Sequence, residues 1–159
     1  MSILDITIVI TSFKSTDKIK NCLNSIDNKC KVIVVENSND IEFKSNIESK
    51  FNNTECILTG NNFGYGKANN IGLKKVKTKF ALILNPDTLL HKSTLENFII
   101  TTKEIKSFAI MAPLIQTEQS KNVENNQSPI SVKNVKGFAM FLNMSEFNNI
   151  GFFDERFFI

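Results

Sequence analysis

Asn85-Pro86-Asp87 follows the apolar run Phe80-Ala81-Leu82-Ile83-Leu84 directly. That order places one carboxylate at the end of a buried strand. A short apolar run bounded by a turn suits a strand covered on both faces of a parallel sheet. Pro86 has no amide hydrogen to give a ladder, so the strand stops there. Asp87 then stands at the carboxyl end of a central strand, where open α/β sheets bind ligands. A carboxylate fixed there is a natural ligand for a hard divalent cation carrying phosphates. Asn, Pro and Asp are also ordinary turn formers, so a plain turn with Asp87 capping the next helix is the competing reading.

Three further polar turns fall in comparable places. Thr11-Ser12-Phe13 follows the β-branched run Ile6 to Ile10, and Glu36-Asn37-Ser38-Asn39-Asp40 follows Lys31 to Val35. Asn61-Asn62-Phe63-Gly64-Tyr65-Gly66 follows Cys56-Ile57-Leu58. Taken singly, the second is a turn that starts a helix and the third a glycine turn leading into one. The carboxyl ends of parallel strands open onto one edge, so the four turns converge on one crevice.

The elements that must position these groups alternate. Strands are expected at 6–10, 31–36, 56–58, 80–85 and 108–112. Helices are expected from Ser15, with Ile19, Leu23 and Ile26 at helical spacing, over 41–51, over 67–76, and from Ser93 to Ile105. Ser93 and Glu96 fit a capping box. The polar stretch 116–134 is too long for an ordinary connection and reads as a functional loop. Val135 to Leu142 reads as a last strand. Strand–helix repetition predicts a single α/β domain with a mostly parallel sheet and helices on both faces.

Composition narrows the function classes. The chain has 159 residues, a net charge of +3 and 42% hydrophobic residues, as expected of one soluble domain with a sizeable core. Lysines are scattered, with no basic stripe for nucleic acid. Cys22, Cys30 and Cys56 lack metal-site spacing and read as reduced thiols in a cytoplasmic setting. Residues 3–10 are too few to cross a membrane, and they carry no basic leader. Thr11-Ser12-Phe13 lacks the glycine fingerprint of a dinucleotide enzyme. His91, the single histidine, has no partner ligands for a metal and reads as a surface residue at a helix start.

In order along the whole chain, these motifs resemble the family 2 glycosyltransferases of the GT-A fold, and most of all their rhamnosyltransferase-like branch. Val34-Val35-Glu36-Asn37-Ser38-Asn39-Asp40 resembles the family's Val-Asp-Asn-x-Ser-x-Asp element, with Glu36 where Asp is usual and the turn one residue shorter. Asn62-Phe63-Gly64-Tyr65-Gly66-Lys67-Ala68-Asn69-Asn70-Ile71-Gly72 is similar to the long Asn-x-Gly…Asn-x-Gly element. Leu84-Asn85-Pro86-Asp87 is similar to a variant of the Asp-x-Asp motif. Gly137-Phe138-Ala139-Met140 and Gly151-Phe152-Phe153-Asp154-Glu155-Arg156-Phe157-Phe158 resemble the acceptor-side elements.

The resemblance implies a donor-binding part over 1–115, the polar loop over 116–134, and the start of an acceptor-side part over 135–159. It implies transfer of a sugar, with inversion, from a nucleoside-diphosphate donor to a glycan or lipid-linked acceptor in cell-surface polysaccharide synthesis. Donor-binding residues carried over are Thr11, Ser12, Glu36, Asn62, Gly64, Gly66, Asn69, Asn85 and Asp87. Asp87 would hold Mg²⁺ or Mn²⁺. The enzyme would be cytoplasmic or peripheral at the inner face of the membrane. The family's catalytic base, a Glu-Asp pair, falls beyond Ile159. Asp154 and Glu155 belong by resemblance to a structural turn, paired with a lysine or Arg156. Two expectations follow: a chain truncated on the acceptor side, binding donor but transferring little sugar, and self-association through the apolar edge at Phe152, Phe153, Phe157 and Phe158. An inactive nucleotide-sugar-binding module is the alternative.

Overall fold

The computed structural model describes residues 1–105, 107–113 and 128–158. A 3-10 turn at Ile3–Asp5 leads into β1 (Ile6–Ser12), α1 (Thr16–Asn24), β2 (Lys31–Glu36), α2 (Ile41–Lys50), β3 (Thr54–Leu58) and α3 (Gly64–Leu73). Then come β4 (Phe80–Leu84), α4 (Thr94–Glu104), β5 (Ile110–Met111), β6 (Ala139–Asn143) and α5 (Met144–Ile150). The six strands form one sheet in the order β3-β2-β1-β4-β6-β5. The first four are parallel; β6 runs antiparallel to both β4 and β5. The expected α/β architecture is present, with a mixed sheet whose antiparallel part is confined to one side.

Period-two burial explains the layers. Ile6, Ile8, Ile10, Val32, Val34 and Leu82 point to one face, where Ile19 and Leu23 of α1, Phe43 and Ile47 of α2, and Phe98 and Ile99 of α4 cover them. Val9, Ala81 and Ile83 point to the other face, under Leu73 of α3 and Met144 and Phe147 of α5. Strands buried on both faces need continuous apolar runs, and these have them. Gly72 lets α3 come close: a Cβ there would lie 2.5 Å from Val9 Cγ1 and 3.0 Å from Val35 Cγ2. Those β-branched side chains have little room to turn away.

Several boundaries differ from the sequence reading. α3 starts at Gly64, three residues before Lys67, because the Asn62 side-chain oxygen accepts from the Gly64 amide at 3.0 Å. The last strand starts at Ala139, and α5, which was not expected, follows it at once. Met144 and Phe147 at helical spacing were its signal. The capping box at Ser93 is not formed. A cap needs non-helical backbone for its oxygen to reach back, but Ser93 is already helical (φ −86°, ψ −4°). Its hydroxyl lies 2.9 Å from His91 Nδ1 instead. Of the expected polar loop, residues 128–134 are exposed and 116–127 lie outside the described residues. Among the described residues, no helix is long and apolar enough to cross a membrane. The three cysteines are free and buried.

Candidate active site at the carboxyl edge

Chain direction reverses its winding at β1. β2 and β3 are laid down on one side of it and β4 on the other. The carboxyl ends of β1 and β4 therefore bound a crevice at the topological switch point, the usual ligand site of such sheets. Register sets its floor: Ser12 pairs with Glu36, Glu36 with Leu58, and Ile10 with Leu84.

Ser12 and Glu36 share a face as well as a register position, since both continue the even-numbered row of their strands. Each is 1% exposed. Glu36 Oε1 accepts from the Ser38 hydroxyl at 2.7 Å and from the Lys14 amide at 3.4 Å. Glu36 Oε2, Ser12 Oγ and Thr11 Oγ1 are buried without a hydrogen-bond partner. Such groups cost about 1–3 kcal/mol each when left unmade; Ser12 and Glu36 stand side by side on one face at the switch point, and Thr11, paired with Val35, is on the opposite row. Lys14 adds to the local strain. Its φ of 53° lies in the left-handed region, which a lysine rarely adopts, and the turn so formed aims its amide at Glu36.

The next residue behaves oppositely. Asn37, 2% exposed, has its side chain engaged on every side. Its Nδ2 donates to Asn62 Oδ1 at 2.8 Å and to the Gly64 carbonyl at 3.3 Å. Its Oδ1 accepts from the Phe63 amide at 2.9 Å and the Thr59 hydroxyl at 3.2 Å. Asn37 thus ties the turn after β2 to the turn before α3. The sequence reading quoted Asn37 without giving it a role; its signal was an amide directly after a buried strand. Asp40, at the end of the same turn, caps α2 by accepting from the Phe43 amide at 2.8 Å.

On the β4 side, the Asn85 amide donates to the Phe138 carbonyl at 2.9 Å, and its carbonyl accepts from Thr88 N at 3.1 Å. Cys22 Sγ lies 3.7 Å from that carbonyl. Burial, with Asp87 adding charge, pushes the Cys22 thiol up to about 12. The Asp87 side chain is 56% exposed, with Lys18 Nζ 4.0 Å away. His91 is exposed.

The remaining candidates are placed differently. Gly64 has φ +77°, and a Cβ there would lie 3.1 Å from Phe158 Cδ2; at Gly66 it would lie 3.5 Å from Phe153 Cβ. Both glycines are thus packed by residues 153–158. Asn62 serves Asn37 and Gly64, as described. Asn69 is fully buried; its Nδ2 donates to the Tyr65 carbonyl at 2.9 Å, and its Oδ1 has no partner. Thr11, Ser12, Glu36, Asn85 and Asp87 thus stand at or just past the carboxyl ends of β1, β2 and β4, and Asn62, Gly64 and Gly66 at the turn from β3 into α3. Asp154 is held by Arg156 Nε at 2.9 and 3.1 Å, and these bonds keep its carboxyl below the usual range. Glu155 accepts from Asn70 at 3.0 Å and lies 3.8 Å from Lys74 Nζ. Pairing with Arg156 and with a lysine agrees with the sequence reading.

Comparison with known proteins gives a consistent result. The family model described as "Glycosyl transferase family 2" matches residues 7–158. The low-salt glycan biosynthesis hexosyltransferase Agl10 of Haloferax volcanii is 24% identical over 180 residues, covering 98% of this chain and 58% of that protein. The crystal structure of S. aureus TarS 1–349 superposes with a TM-score of 0.73 at 19% identity, covering 97% of this chain and 51% of that one. The mannosyltransferase PcManGT of Pyrobaculum calidifontis, in complex with GDP-Man and Mn²⁺, gives 0.73 at 14% identity, over 95% of this chain and 48% of that one. At such identities the solved structures speak for the fold. The chain spans about half the length of the relatives it matches.

Proposed function

The chain belongs to glycosyl transferase family 2, with the GT-A fold, and from that premise we propose that its carboxyl edge binds a nucleoside-diphosphate sugar for transfer to a glycan or lipid-linked acceptor. The observation that carries this is the buried, unpartnered pair Ser12 Oγ and Glu36 Oε2 at the switch point. Glu36 would accept from the base or ribose, and Ser12 and Thr11 would complete the nucleoside contacts. The reading is also supported by PcManGT, whose structure holds GDP-Man and Mn²⁺, and by a TarS structure in complex with UDP, which superposes with a TM-score of 0.70.

The residues fit a divalent cation shared with the donor. Among the described residues no group of three ligating side chains is assembled. Asp87 alone offers an exposed carboxylate where the phosphates would lie. One carboxylate completed by phosphate oxygens and water is the ordinary way Mg²⁺ is held at such sites. When bound, the ion would neutralise charge developing on the leaving diphosphate. Lys18 stands close enough to Asp87 to add to that field.

Transfer with inversion forms a bond from the acceptor oxygen to the anomeric carbon and breaks the bond from that carbon to the diphosphate. The acceptor proton passes to a base. Asp154 and Glu155 are engaged by Arg156, Asn70 and Lys74, so neither is assigned that role. The second reading is a module that binds donor without transferring sugar. Cell-surface polysaccharide assembly, the rhamnosyltransferase-like branch and self-association through the exposed Phe157 and Phe158 belong to the same proposal. So does a cytoplasmic or peripheral location, which the three buried thiols fit.

Calorimetry with UDP, dTDP and GDP, with and without Mn²⁺ or Mg²⁺, tests the reading. A pyrimidine nucleoside diphosphate is expected to bind, more tightly with the cation. Asp87→Asn should remove the cation-dependent part, and Glu36→Gln should weaken binding with or without it. No heat with any of the three, from a folded sample, would refute the site. Acceptor-dependent release of nucleotide separates transfer from binding alone.

A further inference from the structure

Asn70 and Tyr65 of α3 both meet Phe153, and the Tyr65 hydroxyl donates to the Gly137 carbonyl at 2.7 Å. Asn70 is 1% exposed. Its Nδ2 donates to the Phe153 carbonyl at 2.9 Å and to Glu155 Oε1 at 3.0 Å. Its Oδ1 accepts from the Phe153 amide at 3.0 Å. One carboxamide thus satisfies both backbone groups of a residue 83 positions away, as a neighbouring strand would. The Tyr65 ring meets Phe153 edge-on, with centroids 6.3 Å apart.

The order of contacts gives the segment a direction. α3 starts at the carboxyl edge and runs away from it. Phe153 sits at Asn70 and Gly66, Asp154 at Gly66, and Phe158 at Gly64, with the Glu155 side chain reaching back to Asn70 and Lys74. The segment therefore returns along α3 toward the edge that carries the crevice. It arrives at Gly64, whose carbonyl accepts from Asn37, the residue next to Glu36.

We propose that Asn70 is a positioning residue for sugar transfer: it sets the path by which residues 153–158 reach the rim of the crevice, and so where the second wall of the site stands. This rests on reading the edge as a nucleotide-sugar site. The Asn70 carboxamide has its three bonds at 153 and 155, so it acts through that segment and not on the donor. Displacement of such a wall by about 1 Å can cost up to a hundredfold in rate without weakening donor binding.

The test is hydrogen exchange and steady-state kinetics on Asn70→Asp, alone and with Glu155→Gln. The first change is isosteric. It removes the donor to the Phe153 carbonyl and sets a second carboxylate against Glu155. The second change returns a donor from the other side. Exchange of the amides of 152–158 should rise about tenfold in Asn70→Asp, the value of one or two hydrogen bonds, and fall back in the double variant. Amides of β1 and β2 should keep their protection. Turnover at saturating donor should fall at least about tenfold with the donor KM unchanged. Unchanged exchange at 152–158, loss of protection spread equally over β1 and β2, or a raised donor KM at unchanged turnover would each overturn the proposal. Glu155→Ala, at an exposed position, should move the same readouts in the same direction by a smaller factor, and covers the case in which Asn70→Asp does not fold. Failure of the unmodified chain to bind nucleotide would remove the transfer half, whereas the exchange pattern reports on the Asn70 contact independently.

Discussion

Two neighbouring regions at one sheet edge use similar residues in opposite ways. At the ends of β1 and β2, Ser12 and Glu36 are buried with polar atoms that nothing in the described protein satisfies. One residue further on, Asn37 is buried with its carboxamide making four hydrogen bonds, and Asn70, inside α3, makes three. The first arrangement costs stability and leaves bonding capacity for a ligand. The second gives stability and offers a ligand nothing. Burial of a polar residue therefore does not by itself mark a binding site; here it is an unpartnered pair at a switch point that distinguishes Ser12 and Glu36.

Breaking the contrast on its ligand side should give the largest effect. Glu36→Met keeps the length of the side chain and removes the orphaned oxygen. Nucleoside-diphosphate affinity should fall about a hundredfold, the value of one or two bonds to a charged group. Thermal stability should change little, because losing the buried unpaired Oε2 offsets losing the acceptor of the Ser38 hydroxyl and the Lys14 amide. A parallel loss of stability and binding would mean that Glu36 is structural. Calorimetry and thermal melts on the same samples decide it.

Asn37→Ala should reverse the pattern. It leaves the Phe63 amide and the Gly64 carbonyl without their side-chain partner, at a cost of about 2–3 kcal/mol in chemical denaturation. Nucleotide affinity of the folded fraction should change less than about threefold, well below the Glu36→Met effect.

The smallest effect sharpens the frame around both. Burial pushes Cys22 and Cys56 up to about 12 and Cys30 to about 11 from an ordinary 9.0. A raised folded value means that the contribution is complete below pH 9, and that it declines as pH rises because the unfolded thiols ionise first. Stability should be insensitive to these groups from neutral pH to about 8.5 and then decline above about pH 9. Denaturant melts across that range, with and without Cys22→Ala, check the slope. Thiol reagents should meet all three only on unfolding.

The sequence by itself determined the strand–helix alternation and the sheet's buried rows. Each follows from short-range chemistry: β-branched runs make strands, period two sorts their faces, and Pro86 halts β4 with Asp87 at its edge. The order of five motifs pointed to the family for the same reason, since each motif is a local stretch of chain. Only the tertiary structure decided which asparagines are engaged, that Gly64 and Gly66 are covered by Phe158 and Phe153, and that β6 enters antiparallel beside β4. These outcomes depend on partners 22 to 94 positions away in the chain. A carboxamide looks the same in a sequence whether its bonds are made or open, and it is the packing of distant segments that makes them.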